Sequence, residues 1–168
     1  MKICIIATSE GKNLELARKF EENFLALNIA STILDVVKLE LPLYSSLSER
    51  TNNPQDIVAP CRDLLQADGF VFLAPEYNGG PPPTFSNFLS WVSRSTKDWR
   101  ENFSNKPAVI GTHSAGGGLN VLTIMRLQLA YLGLNVVGRQ IHTTLQKPLD
   151  QASLDAVCEQ LIKLCRKN

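Results

Sequence analysis

Short apolar runs alternate along the chain with longer segments in which apolar residues recur every three or four positions. The short runs predict buried β-strands over residues 2–7, 30–36, 69–74, 108–112 and 135–141. The longer segments predict amphipathic helices over residues 13–27, 54–67, 83–94, 118–132 and 149–165. Such alternation is typical of a parallel sheet that is covered by helices on both faces.

These elements predict a single domain of 168 residues, an α/β fold with a three-layer, doubly wound, five-stranded parallel sheet. Right-handed crossovers are compatible with the strand order 2-1-3-4-5, although the sequence alone does not select it over other orders. Ligands of such sheets bind outside the carboxyl ends of the strands, at the switch point between the first and third strands. The loops after Ala7, Ala74 and Thr112 therefore form the candidate site.

The first of these loops combines hydroxyl, amide and lysine side chains with one glycine, directly before a helix. Its candidate cofactor-binding residues are Thr8, Ser9, Gly11, Lys12 and Asn13. Free amides in the first helical turn and the positive end of the helix dipole favour an anion there, which predicts a phosphate cradle. An ordinary capped turn uses the same residue types and stays an alternative. The loop contains neither G-x-x-x-x-G-K nor G-x-G-x-x-G, which disfavours nucleoside triphosphate chemistry.

The second loop is rich in proline and glycine and carries one aromatic residue. Its candidate cofactor-binding residues are Pro75, Glu76, Tyr77, Asn78 and Gly79. Glycine lets backbone amides approach a flat ligand, proline stiffens the loop, and Tyr77 and Asn78 offer a ring face and an amide. A rigid turn without a ligand is the alternative interpretation.

The third loop contains a run of three glycines before a predicted helix. Its candidate cofactor-binding residues are His113, Ser114, Gly116 and Gly117. Backbone amides and a hydroxyl in this arrangement suit the polar edge of a ring system, whereas a flexible glycine hinge is the alternative. The neighbouring His113 and Ser114 do not indicate a hydrolase, because adjacent residues do not easily form a nucleophile and base pair and the G-x-S-x-G elbow is missing.

The second loop, with the prolines after it and then Asn87 and Trp91 at helical spacing, resembles the flavin loop of the NAD(P)H-dependent FMN reductases. The third loop is similar to that family too, with Arg126 in the following helix. The resemblance implies a flavodoxin-like fold, FMN held by the three loops, and NAD(P)H as co-substrate. It also implies a small electron acceptor, such as a quinone, an azo compound, a metal ion or free flavin, and no catalytic acid or base from a side chain.

The first loop departs from the family pattern, because it lacks the arginine that is usual there and carries Glu10 near the expected phosphate. A carboxylate repels a phosphate unless it points to solvent. Two other functions therefore stay open, a flavodoxin-like electron carrier and a flavodoxin-fold binding protein without cofactor. The balance of 17 basic against 16 acidic residues argues against the carrier, since flavodoxins are usually strongly acidic.

Composition limits the partners further. A net charge of +1 without a basic patch predicts no nucleic-acid or membrane partner. No apolar stretch approaches the roughly 18 residues that span a bilayer, so we expect a cytoplasmic protein. Four cysteines without C-x-x-C spacing predict structural thiols, and two separated histidines predict no metal site.

The family resemblance implies a homodimer or homotetramer, in which Phe85, Phe88, Leu89 and Trp91 are contact residues or, alternatively, core residues.

Overall fold

The computed structural model describes residues 1–166, and residues 167 and 168 of the predicted domain lie outside the described residues. The strands are β1 (Lys2–Ala7), β2 (Ala30–Asp35), β3 (Gly69–Leu73), β4 (Pro107–His113), β5 (Asn135–Val136) and β6 (Ile141–Thr143). The α-helices are α1 (Lys12–Ala26), α2 (Ser46–Thr51), α3 (Pro54–Ile57), α4 (Arg62–Leu65), α5 (Pro83–Arg94), α6 (Leu119–Tyr131) and α7 (Gln151–Cys165). Short 3-10 turns occupy Val37–Leu39 and Ala59–Cys61.

The described strands form one parallel sheet in the order β2-β1-β3-β4-β5, which confirms the predicted fold class and strand order. At the carboxyl end of β1, Ala7 lies beside Asp35 of β2 and Leu73 of β3. Apolar side chains of α1 and α7 pack on one face of the sheet, and those of α5 and α6 pack on the other. The three candidate loops therefore leave the sheet at the same edge.

The edge of the sheet next to β4 differs from the prediction of one continuous strand. Two short strands, β5 and β6, pair with opposite ends of β4 and make the sheet six-stranded. Arg126 of α6 lies against the break between them. Its guanidinium donates to four oxygens at 2.8 to 3.4 Å, the carbonyls of Val136, Val137 and Gly138 and the side chain of Gln140. Because α6 supplies these donors, the ladder stops without leaving the carbonyl oxygens unpaired.

The helix predicted over residues 54–67 is divided into α3, a 3-10 turn and α4. Pro60 lies in that turn, and proline interrupts a helix because it has no N–H and its ring clashes with the preceding turn. In contrast, α2 forms where the hydrophobic pattern predicts no helix. Ser45 and Ser48 begin it with a reciprocal capping box, so local polar bonds rather than core packing define its start.

The apolar face of α5 belongs to the core of the chain. Phe85, Phe88 and Trp91 have no exposed surface, and Leu89 keeps 6% of its own. These four side chains pack against the sheet together with residues of α6. Their burial is what the core alternative predicts, and it leaves them no area for a subunit contact.

The four thiols behave as buried groups. Cys4, Cys61 and Cys158 are buried, and Cys165 is partly buried. Burial raises the pKa of the Cys4 and Cys158 thiols to about 12 and that of Cys61 and Cys165 to about 11. Thiolate is therefore scarce at neutral pH, as a structural role requires.

Candidate active site

The first loop connects β1 to the amino-terminal end of α1. Thr8 is fully buried, and both its backbone N–H and its hydroxyl donate to the carbonyl of Leu73 at 3.0 Å. Gly11 precedes α1 with a positive φ of 67°, and no side chain caps the helix. The amides of the first turn are therefore available to an external acceptor, as an anion cradle requires.

Asn13 connects the first loop to the third. Its side chain is 3% exposed; the amide donates to the carbonyl of His113 at 3.0 Å and accepts from the His113 N–H at 2.8 Å. His113 Nδ1 in turn lies 3.1 Å from the hydroxyl of Thr143 in β6. The Asn13 side chain thus fixes the spacing of two loops and directs its hydrogen bonds inward.

Charge at the first loop is modest. Lys12 is exposed and pairs with Glu15 at 2.7 Å, and this hydrogen bond and charge lower the pKa of Glu15. Glu10 is exposed to solvent, where water screens its repulsion of an anion. To an anion, this loop therefore offers backbone amides first and lysine charge second.

The second loop forms a tight turn from Tyr77 to Gly80, closed by reciprocal backbone hydrogen bonds of 2.8 and 3.0 Å. Its central residues, Asn78 and Gly79, have positive φ values of 51° and 77°, as a type I′ turn requires. The turn leaves the Tyr77 ring 53% exposed. At the start of α5, Thr84 donates to the carbonyl of Thr8 and joins the second loop to the first.

Glu76 joins the second loop to the third. One carboxylate oxygen accepts from the backbone N–H of Val121, in the first turn of α6, at 3.4 Å. The other lies beside Gly116, 4.0 Å from where a β-carbon on that glycine would be. Gly118 precedes α6 and has no side chain that could cap the helix. The Glu76 carboxylate therefore accepts from an N–H that is free at the amino-terminal end of α6.

The third loop is anchored at its two ends and open between them. Ser114 is buried, its N–H donates to Thr143, and its hydroxyl accepts from the Gly116 N–H at 3.2 Å. Gly116 and Gly117 are exposed. Gly118 has a φ of 64°, and a β-carbon there would lie 2.6 Å from Nε2 of His142. The loop thus presents accessible backbone at a fixed position.

Side-chain contacts therefore link the loops in a closed ring: first to third through Asn13, third to second through Glu76, and second to first through Thr84. Sequence reasoning missed Thr84, since a threonine in a first helical turn carries no signal of a distant partner. The structure also shows where the side chain of His113 lies. The His113 side chain lines a groove of about 280 Å³ between α1 and the segment after β6, together with Lys12 and Thr143.

Asn87 and Trp91, which carry part of the family resemblance, hold a neighbouring segment in place. Asn87 accepts from the N–H of Tyr44 at 2.7 Å, and the Trp91 indole donates to the carbonyl of Pro42 at 2.7 Å. Residues 41–44 are thereby fixed along α5. These two side chains act on the surroundings of the second loop rather than on a ligand.

The residues present fit FMN. The uncapped helix end after Gly11 suits a phosphate, and the exposed backbone of Gly116 and Gly117 and the exposed side chain of Tyr77 suit a flat ring. No group of three or more metal-ligating side chains occurs among the described residues. Within residues 1–166, no helix is both long and apolar enough to cross a membrane.

Fold and site together define a flavodoxin-like flavoprotein. The sequence profile of the NADPH-dependent FMN reductases matches residues 1–146, and the chain belongs to this family. A quinone reductase of Escherichia coli K12 is 27% identical over 135 residues, which are 73% of this chain and 70% of the relative. The chain is an NAD(P)H-dependent FMN oxidoreductase, as the family resemblance in the sequence predicts.

Solved structures share the fold. The flavoenzyme NAD(P)H:(acceptor) oxidoreductase FerB from Paracoccus denitrificans superposes with a TM-score of 0.79 at 16% identity, over 99% of this chain and 97% of that one. A flavodoxin from the domain Archaea superposes with a TM-score of 0.65 at 13% identity, over 99% of this chain and 98% of that one. Both solved structures therefore share the fold of this chain.

Proposed function

We propose that this chain is a single FMN-binding domain that passes electrons from NAD(P)H to a quinone-class acceptor. The closed ring of loop contacts is the observation that carries the proposal, because it holds an uncapped helix end and two exposed glycines at one edge of the sheet. When bound, FMN would supply the two-electron hydride chemistry between NAD(P)H and the acceptor. The 27% identical relative named quinone reductase supports that acceptor class.

The loops take different parts in this proposal. In the first, backbone amides of Ser9, Gly11, Lys12 and Asn13 bind the phosphate, over the buried Thr8. In the second, Pro75, Tyr77, Asn78 and Gly79 position the ring, with Glu76 behind them. In the third, Ser114, Gly116 and Gly117 face the polar edge of the ring, where negative charge gathers on reduction, and His113 supports the loop. No side chain is needed as an acid or base.

The first test is a titration of the apoprotein with FMN and, in parallel, with riboflavin. Because riboflavin lacks the phosphate, the proposal predicts that FMN binds at least a hundredfold tighter, about 2.7 kcal/mol. Equal affinities would contradict the phosphate cradle. Absence of binding to either flavin would favour the cofactor-free alternative.

The second test adds NADPH or NADH anaerobically to the FMN complex and follows the visible flavin absorption. Bleaching, followed by its reversal with a soluble benzoquinone, is the expected result. FMN that binds but is not bleached by either nicotinamide would favour the electron carrier. Bleaching that the benzoquinone does not reverse would exclude the quinone acceptor and leave the reductase half-reaction intact.

For the oligomer we propose a homodimer or homotetramer with a contact on α5 and α6. The buried face of α5 is not available, but a groove of about 460 Å³ lies between these helices, with exposed Leu127 and Tyr131 on its rim. Light scattering on Leu127→Asp should then give a smaller species than wild type. Leu25→Asp, an equally exposed leucine on α1, is the control and should leave the mass unchanged.

A cytoplasmic location without a nucleic-acid or membrane partner also belongs to the proposal. Free thiols at all four cysteines and a net charge of +1 support it. Fractionation of cells that express a tagged chain tests the location. Recovery in the membrane fraction would contradict it.

A further inference from the structure

Glu76 is the carboxylate on the ring of loop contacts. It lies three residues after the end of β3 and is half-buried; one carboxylate oxygen accepts from the N–H of Val121 in α6, and the other lies near Gly116 of the third loop. Among the described salt bridges none includes Glu76, so no cation neutralises its charge there. The charge therefore acts on the amino-terminal end of α6 and on the exposed glycines before it.

The field at this position has two opposing sources. The first turn of α6 contributes a positive potential, because its N–H groups have no partners within the helix. The carboxylate of Glu76 accepts from one of them and subtracts from that potential. The balance matters for a ligand that gains negative charge near Gly116 and Gly117, since a positive field stabilises the reduced form more than the oxidised form.

We infer that Glu76 is a positioning residue that also lowers the reduction potential of the bound flavin. Its contact with α6 holds the third loop in place, and its charge weakens binding of reduced FMN relative to oxidised FMN. This inference rests on the proposed function, because it requires FMN beside the third loop. In this inference, the other residues of 75–79 contact the flavin ring, whereas the Glu76 side chain acts through the third loop.

Glu76→Gln separates the charge from the contact, because the amide oxygen of glutamine still accepts from Val121. We expect oxidised FMN to bind within threefold of wild type and reduced FMN to bind about tenfold tighter. With the oxidised affinity unchanged, that tenfold gain corresponds to a midpoint potential raised by about 30 mV for a two-electron couple. Equilibration with a reference dye under reducing conditions measures the potential, and fluorescence titration measures the oxidised affinity.

Glu10→Gln is the matched control, since Glu10 is an exposed carboxylate in the first loop. Its neighbour in the complex is the phosphate, whose charge is the same in both redox states. The control should therefore change both affinities by one factor and leave the potential unchanged. A potential that moves equally in the two variants would overturn the inference.

An unchanged potential in Glu76→Gln would also overturn the inference, even with a lower thermal midpoint, because a purely structural contact does not distinguish the redox states. Glu76→Ala removes the contact with α6 as well as the charge. Both oxidised and reduced FMN should therefore bind more weakly to Glu76→Ala than to Glu76→Gln. If wild type binds no FMN, the proposed function fails. If wild type binds FMN and Glu76→Gln leaves its potential unchanged, only the inference fails.

Discussion

Replacement of Asn13 by alanine tests whether the first and third loops depend on one buried side chain. Asn13 is 3% exposed and makes two hydrogen bonds to the main chain of His113, at 3.0 and 2.8 Å. Alanine removes both bonds and leaves the N–H and the carbonyl of His113 without their partner.

The magnitude follows from these two bonds. Each contributes about 1 kcal/mol, and a buried partner left unpaired costs about 1–3 kcal/mol. His113 is only half-buried, so water recovers part of the loss, and we expect Asn13→Ala to reduce the free energy of unfolding by about 2–3 kcal/mol. Asn13→Asp keeps the acceptor for the His113 N–H but removes the donor, so its loss should be smaller than that of alanine.

Urea unfolding of the apoprotein measures this loss without any ligand. With an m-value of about 2 kcal/mol per molar, the midpoint should fall by roughly 1 M at unchanged m. Asn120→Ala is the control, because Asn120 occupies the same second position of its helix, α6, and is exposed. A loss for Asn13→Ala within 0.5 kcal/mol of this control, about the spread of ordinary surface substitutions, would refute the reasoning.

Three further predictions concern neighbouring parts of the fold. Gly118→Ala should destabilise the chain by about 2–4 kcal/mol in thermal unfolding, because the new β-carbon meets His142 at 2.6 Å and φ is 64°. Arg126→Met should lower stability by about 2 kcal/mol by leaving carbonyls at the strand break unpaired, and hydrogen exchange should rise first in β5 and β6. Hydrogen bonds from the side chain and then from the N–H of Ser153, at the start of α7, lower the pKa of Asp150 below the usual 3.8. Its stabilisation is present above that value and lost as pH falls, so Asp150→Ala should flatten the acid side of the stability profile.

Each of these predictions has its own contrary outcome. Gly117→Ala, where no atom lies within 4 Å of the new β-carbon, should be nearly neutral, and equal losses at Gly117 and Gly118 would contradict the clash. Arg126→Lys should lose stability too, because one ammonium does not reach all the oxygens to which the guanidinium donates. Wild-type stability in Arg126→Lys would contradict this role of the guanidinium. An Asp150→Ala profile that is parallel to wild type between pH 5 and pH 2 would contradict the cap, since only wild type has the Asp150 contribution to the slope there.

The fold was predictable from sequence where packing decides it. Buried apolar runs predict β1 to β4 to within a residue or two, and the stripe of α5 predicts Pro83–Arg94 without error. Packing does not specify the break between β5 and β6, which depends on a guanidinium from a distant helix. Nor does it specify α2, whose start depends on two serines. Periodicity carries no information about such side-chain hydrogen bonds.

The meeting of the three loops at one edge was predictable, because each loop follows the carboxyl end of a parallel strand. That these loops hold the cofactor stays a prediction. The task of each side chain was less accessible, as Asn13 illustrates: its amide suits a phosphate equally well on paper, but the fold directs it to His113. Asn87 and Trp91 belong to the family pattern, yet they bind residues 41–44 of the chain. Ligand chemistry and loop support use the same residue types.

The ring of contacts also predicts which substitutions reduce FMN affinity most, and the order is the opposite of the one that ligand chemistry alone would predict. The side chains of Asn13, Glu76 and Thr84 all form hydrogen bonds to a neighbouring loop or helix. The exposed groups at Gly11, Gly116 and Gly117 belong to the main chain. Side-chain substitutions cannot remove a backbone N–H, except to proline, but they can displace it. Affinity for FMN should therefore fall more for alanine at the three contact residues than at the exposed Lys12, because misplaced amides lose the ligand together.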